Sequence, residues 1–132
     1  MATLEFTETS LQSLWLDTHP NKAAPPELAK LRNWRCLSDS RMVGHCTGDW
    51  TSGEIVGLSV EHAYRRQGIG RRLLSLVVEA LRAAGAPRIW VAAPPDPASP
   101  AYSFYRAVGW VPTGERANDG SEILELHAGA RR

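Results

Sequence analysis

The chain has 132 residues, 43% of them hydrophobic, with 15 Lys plus Arg set against 14 Asp plus Glu. A chain of this length and apolar content suits one domain over residues 1–132, large enough to bury a core without metal or disulfide staples. The near-neutral balance excludes the basic excess of a dedicated nucleic-acid binder and leaves room only for a local basic pocket.

The N-terminal run Met1 to Phe6 lacks the basic start and apolar stretch of a signal peptide. Ser10 to Asp17 puts Leu11, Leu14, Trp15 and, at the margin, Leu16 on one side of a short helix, with Thr9 or Ser10 as cap and His19-Pro20-Asn21 as its end. Pro25-Pro26 opens another short helix over Glu27 to Leu31. Trp34, Cys36 and Leu37 read as a strand, Ser38-Asp39-Ser40 as a turn, and Met42 to Thr47 as the next strand. After a loop from Gly48 to Gly53, Glu54 to Glu61 is a well-buried strand carrying Ile55, Val56, Leu58 and Val60. Three strands with short connections predict an antiparallel meander.

The next element is the clearest. Ile69, Leu73, Leu76, Val77, Ala80, Leu81 and Ala84 recur at helical spacing, and Gly85 supplies the stop. Arg88 to Ala92 is a short buried strand. Strand, long helix and strand form a crossover unit, so the strands over 54–61 and 88–92 should be parallel. Pro94 to Pro97 is a loop, Ser99 to Val108 a second helix ending at Gly109, and Trp110 to Thr113 and Ile123 to Leu126 are closing strands. The order is α+β. The most apolar stretch, Leu73 to Leu81, is far shorter than the roughly 20 residues of a membrane span. Cys36 and Cys46 read as reduced thiols, and His62 and His127 have no metal-site spacing. The expectation is a cytoplasmic protein with no metal and no membrane or nucleic-acid partner.

Gly68 and Gly70 stand between a buried strand and the start of the long helix. A helix N-terminus presents unpaired N–H groups and a favourable dipole, and glycines let a phosphate approach the backbone closely. Arg65, Arg66 and Arg71 add positive charge, so a diphosphate is the natural guest. The third glycine of a dinucleotide-binding loop is replaced by Leu73, and the Lys-Ser/Thr pair of a nucleoside-triphosphate loop is absent. The pattern that does fit is [RQ]-x-x-G-x-[GA], filled by Arg65, Gly68 and Gly70. A second pattern follows at Ala101-Tyr102-Ser103-Phe104-Tyr105-Arg106-Ala107-Val108-Gly109-Trp110.

The two patterns, in this order with a strand between them, resemble the coenzyme A motif and the following helix of the GNAT superfamily of N-acetyltransferases. The resemblance covers about Arg41 to Leu126. It implies a central mixed, mostly antiparallel sheet with splayed parallel strands, flanked by helices. It also implies transfer of the acetyl group of acetyl-CoA to an amine by direct attack in a ternary complex. The pantetheine arm would lie along Leu58, Ser59 and Val60. The pyrophosphate would be held by the loop of Arg65, Arg66, Gln67, Gly68, Ile69, Gly70 and Arg71. Tyr105 takes the place of the family's general acid, beside the departing thiolate; Phe104, its neighbour, is the more natural core residue. For the base, Glu54 comes first, His45 second and Asp49 third. Trp50 is a candidate acceptor contact, although packing is its simpler role. Two positions depart from the family pattern: Ala98 replaces an asparagine that contacts the pantetheine arm, and Arg66 replaces a common glycine. The acceptor is expected to be a small-molecule amine. A protein N-terminus or lysine is the alternative within the class, and a non-catalytic acyl-CoA sensor the alternative outside it. Monomers and homodimers are both compatible with the resemblance.

Overall fold

A computed structural model describes residues 3–94, 96 and 99–127. The strands are β1 (Leu4–Thr9), β2 (Leu31–Ser38), β3 (Arg41–Asp49), β4 (Ile55–Val60), β5 (Ile89–Ala93), β6 (Val111–Arg116) and β7 (Glu122–Leu126); the α-helices are α1 (Leu11–Thr18), α2 (Ile69–Ala83) and α3 (Pro100–Ala107). β1-β2-β3-β4 form one antiparallel sheet and β5-β7-β6 a second. A single parallel bridge, Glu54 to Trp90, joins them. The meander, the crossover and the α+β order are therefore as expected. β1 is an addition: its alternation of Leu4, Phe6 and polar residues is half-buried at best, too weak a pattern to stand out before its pairing with β2 is seen.

Local chemistry explains the turns and caps. The β2–β3 hairpin turns at Asp39 and Ser40, both left-handed with φ of 49° and 73°, the backbone a tight two-residue connection requires. The Ser10 side chain accepts a hydrogen bond from the Ser13 N–H and caps α1. Pro26–Lys30 is a 3₁₀ turn with a proline at its start.

α2 packs on β2, β3 and β4 through Ile69, Leu73, Leu74, Val77, Val78 and Leu81, all buried. This corrects the expected stripe: Leu74 and Val78 belong to it, whereas Leu76 and Ala80 are half-buried and Ala84 is exposed. The sheet meets the helix at two glycines of β3. A Cβ on Gly48 would lie 2.7 Å from Val77 Cγ1, and one on Gly44 would lie 3.2 Å from Leu73 Cδ1. Their absence lets backbone and helix approach closely. Burying a leucine or valine side chain of this kind contributes about 2 kcal/mol. Cys36 and Cys46 are free and fully buried on neighbouring strands. Burial pushes the Cys46 thiol up to about 12, against a smaller downward effect of a backbone hydrogen bond at Thr47, so it stays protonated and unreactive at neutral pH. Among the described residues no helix is long and apolar enough to cross a membrane, and no cluster of His, Cys, Asp and Glu could hold a metal.

Candidate active site at a fork between two strands

The bridge between β4 and β5 is held from three directions. The Trp90 N–H donates to the Gly53 carbonyl at 3.0 Å, and the Trp90 indole N–H donates to the Ser52 carbonyl at 3.1 Å. Gly53 has φ of +83°, and a Cβ there would fall 1.5 Å from the Arg88 carbonyl oxygen, so only glycine lets the chains touch. Beyond this point β4 keeps its pairing with β3, and β5 its pairing with β7. Among the described residues the two edges that face each other carry no further ladder. A cleft of about 810 Å³ opens between them. Its walls are Glu54 and the whole of β4, Val91 to Ala93 of β5, Tyr64 to Arg66 and Gly68 to Arg71 at the start of α2, and Pro100, Ala101, Phe104 and Tyr105 of α3. An extended chain lying in this cleft would meet the open edge of β4 as a further strand.

At the far end the cleft runs into the start of α2. Gly68 is the N-cap, left-handed at φ +82°. The helical ladder begins with the Arg72 N–H donating to the Gly68 carbonyl at 3.0 Å, so the amides of Ile69, Gly70 and Arg71 have no acceptor within the helix. A Cβ on Gly70 would stand 3.6 Å from Val60 Cγ2 and 3.7 Å from the Phe104 ring, where it would narrow the groove. Arg66 occupies the left-handed region at φ +64°, which shows why glycine suits that position. Arg65 turns inward: its Nε donates to the Val60 carbonyl at 3.0 Å and ties the loop to the end of β4.

Glu54, Leu58, Ser59, Val60, Arg65, Arg66, Gly68, Ile69, Gly70, Arg71 and Tyr105 all line the cleft. Gln67 and His45 do not. Gly44 faces α2, so His45, one residue along β3, points to the opposite face of the sheet, in register with Arg35 and Ser59. Asp49 is also committed elsewhere. Its carboxylate accepts from the Thr51 N–H at 2.8 Å and the Thr51 hydroxyl at 2.6 Å, and Lys30 Nζ stands 3.6 Å away. Burial alone would raise the Asp49 pKa, but these bonds, one from the Ser52 N–H and the lysine charge outweigh it and hold the carboxyl below its usual range. A carboxylate stabilised in this way is a poor base. Trp50 lies outside the cleft, its indole N–H directed at the Ala29 carbonyl at 3.4 Å. Ala98 lies outside the described residues.

Glu54 behaves differently. It sits at the closed end of the fork, where burial and then the negative charge of Asp49 raise its pKa, with Lys30 opposing. Tyr105 corrects the expected division of labour on α3: it is 4% exposed and part of the core, whereas Phe104 is only half-buried. Tyr105 still reaches the cleft wall. Burial, reinforced by nearby Cys46, drives its phenol well above the ordinary range, so the hydroxyl stays protonated. Sequence reasoning had left out Tyr64, Gly57, Ala92 and Ala101, all of which line the cleft. The splay expected at Arg88 to Ala92 is the signal for Ala92, and Ala101 opens the second sequence pattern; Tyr64 and Gly57 carry no signal of that kind.

The family model described as the acetyltransferase (GNAT) family matches residues 4–110. The chain belongs to that family. No curated protein matches it in sequence. Solved structures share the GNAT fold at low identity. The PaiA N-acetyltransferase of Thermoplasma acidophilum, in complex with coenzyme A, is 15% identical with a TM-score of 0.70, over 93% of this chain and 98% of that one. An aminoglycoside 6'-N-acetyltransferase complexed with coenzyme A is 16% identical with a TM-score of 0.62, over 92% and 94%. The Arabidopsis thaliana NAA60 in complex with a bisubstrate analogue is 15% identical with a TM-score of 0.63, over 98% and 100%. Within the GNAT fold, the fork, the glycine loop and the tyrosine of α3 surround one cleft in this chain.

Proposed function

We propose that this GNAT-family chain transfers the acetyl group of acetyl-CoA to an amine, with a small molecule as acceptor. The observation that carries the reading is the continuous cleft from Glu54 to Arg71, with an open strand edge along its side and unpaired helix amides at its end. Acetyl-CoA has the matching parts in the matching order: a thioester, an amide-bearing arm and a pyrophosphate. Leu58, Ser59 and Val60 meet the arm through their backbone. The amides of Gly68 to Arg71, with the Arg71 side chain, meet the pyrophosphate. Gln67, away from the lining, contributes turn geometry.

Glu54 is the proton acceptor for the incoming ammonium. An alkyl amine has a pKa of about 10.4 and must lose a proton before it can attack; a carboxylate moved toward neutrality accepts it better than an ordinary one. Tyr105 donates a hydrogen bond to the departing sulfur. Its phenol holds its proton too tightly to deliver it to a thiolate of ordinary pKa about 8.5, so its contribution is a hydrogen bond that stabilises the developing charge. A backbone N–H near Leu58 polarises the thioester carbonyl. Direct attack of the amine on the thioester needs no acyl-enzyme. Cys46, the thiol beside Tyr105, is fully buried and held protonated, which fits direct transfer between two bound substrates.

One similar structure is an aminoglycoside 6'-N-acetyltransferase, and another, NAA60, holds a bisubstrate analogue. The test is thiol release from acetyl-CoA across a panel of diamines, amino acids, aminosugars and short peptides, run beside calorimetric titration with CoA. Turnover with a small amine supports the reading. Turnover confined to peptides moves the chain to the protein-modifying class, and CoA binding without any turnover makes it an acyl-CoA sensor.

A further inference from the structure

Glu54 does not stand alone at the fork. Gly48 and Ile55 are partners across β3 and β4, and both face α2: a Cβ on Gly48 would meet Val77 and Leu81, and Ile55 is 2% exposed in the core. Side chains alternate along a strand, so the next residues, Asp49 and Glu54, turn together to the opposite face. The Asp49 N–H donates to the Glu54 carbonyl at 2.8 Å and sets the two side by side. Like charges opposed on one face of a sheet destabilise it, and the fold keeps this pair at its candidate base.

The two oxygens of the Asp49 carboxylate have separate partners. Oδ1 accepts from the Thr51 N–H at 2.8 Å, the Thr51 hydroxyl at 2.6 Å and the Ser52 N–H at 3.3 Å. These bonds shape the turn that delivers Glu54: the Ser52 hydroxyl oxygen accepts from the Glu54 N–H at 3.2 Å, and the Ser52 carbonyl holds the Trp90 indole. Oδ2 faces Lys30 Nζ at 3.6 Å. Lys30 is brought there by the Trp50 N–H, which donates to its carbonyl at 2.9 Å. On the other elements that meet here, Arg88, just ahead of β5, is held by Glu115 and Glu125, and Tyr105 of α3 stays protonated. Arg35 and His45 lie farther along the same sheet face, and Tyr64, Arg65, Arg66 and Arg71 line the far end of the cleft.

We propose that Asp49 and Lys30 are positioning residues for Glu54: Asp49 Oδ1 holds the turn that aims the carboxylate, and the Asp49 charge, offset in part by Lys30, sets the pH at which Glu54 takes up a proton. The inference rests on the reading of Glu54 as proton acceptor. A neighbouring negative charge disfavours a second ionised carboxylate, and a neighbouring cation favours it, in line with the direction in which each acts on Glu54. Without the Asp49 charge the Glu54 carboxylate survives to lower pH; without Lys30 it is lost at higher pH. The segment that ends at Lys30 thereby reaches the chemistry without touching a substrate.

The experiment is a pH titration of the Glu54 side-chain carboxyl by carbon NMR of labelled protein, with its signal identified by its loss in Glu54→Gln. It runs beside profiles of kcat/KM against pH with the amine that turns over best. Wild type is compared with Asp49→Asn, Asp49→Ala and Lys30→Met. Asparagine keeps the Oδ1 acceptor and removes only the charge; methionine keeps most of the lysine stem and removes only the cation. The midpoint and the acid limb should move to lower pH in Asp49→Asn and to higher pH in Lys30→Met. Asp49→Ala, which loses the turn as well, should fall about tenfold below Asp49→Asn in kcat on the pH plateau. Midpoints that stay in place, or that move the same way in Asp49→Asn and Lys30→Met, would overturn the electrostatic role. Equal plateau rates for asparagine and alanine would overturn the role of the turn. Opposite shifts of the Glu54 signal without turnover of any amine would uphold the charge pairing and remove the acetyl-transfer reading instead.

Discussion

The α2 side of the molecule and the segment from Leu11 to Lys30 are built on opposite terms. α2 buries six large side chains against a sheet that has glycines where it needs closeness. α1 and the Pro26–Lys30 turn bury none. They are fastened by a few polar links, the Trp50 N–H to the Lys30 carbonyl at 2.9 Å and the Lys30–Asp49 pair at 3.6 Å, while Trp15 stacks on His19 at 4.0 Å within the segment itself. The cleft proposed for the cofactor is thus built on the core, whereas the N-terminal segment belongs to the low-stability end of the structure. Variation there costs the fold little.

The largest expected effect comes from closing the fork. Gly53→Ala forces a Cβ into the Arg88 carbonyl and should cost about 3 kcal/mol or more in denaturant unfolding, with loss of CoA binding. If that variant is as stable as wild type, the fork is not part of the rigid half. Next is Gly68→Asp, which puts a carboxylate and an unfavourable left-handed residue at the helix N-cap; CoA affinity should drop roughly 100-fold by calorimetry while far-UV circular dichroism is unchanged. Tyr105→Phe should lower kcat about 100-fold and leave CoA affinity within about twofold; equal rates across pH would remove Tyr105 from the chemistry.

Glu54 sharpens the comparison through pH. Its pKa is raised, so the active carboxylate is lost as pH falls through a value above the usual carboxylate range, and kcat/KM should fall along an acid limb displaced toward neutrality. Glu54→Gln should lower the rate and abolish that limb; a limb that survives would point to another base. The smallest effect belongs to the loose side. Leu16→Ser, at an exposed position of α1, should change unfolding free energy by less than about 0.5 kcal/mol. Hydrogen exchange should find amides of α1 opening far sooner than those of Leu73 to Leu81; similar protection in both would erase the contrast.

Sequence legibility followed the same division. The long helix was readable because a crossover helix packed on a sheet must carry a periodic apolar stripe, although Leu74 and Val78 displaced Leu76 and Ala84 from it. The loop was readable because phosphate binding constrains glycine spacing. β1 was not, since an edge strand that is half-exposed needs no strong alternation. The exchange of roles between Phe104 and Tyr105 was also hidden: adjacent helix positions lie about 100° apart, and pattern alone cannot say which one tips toward the core. His45 fell on the wrong face for a reason pattern does contain, the period of two along β3, once Gly44 is known to face α2. Asp49 looked available only because its Asx turn with Thr51 and Ser52 cannot be told from a free loop carboxylate without coordinates.

Gly44 and Gly48 have an effect well beyond their own strand. By letting α2 lie directly on the strand, Gly44 at Ile69 and Leu73 and Gly48 at Val77 and Leu81, they index the height of the helix, and hence of the loop at its start, to the plane of β3. A methyl group inserted at Gly48 would lever the helix outward at a spot remote from every ligand atom. Kinetically, such a lesion would masquerade as a defect in the nucleotide pocket, with a raised KM for the acyl donor and chemistry left intact once the donor is bound.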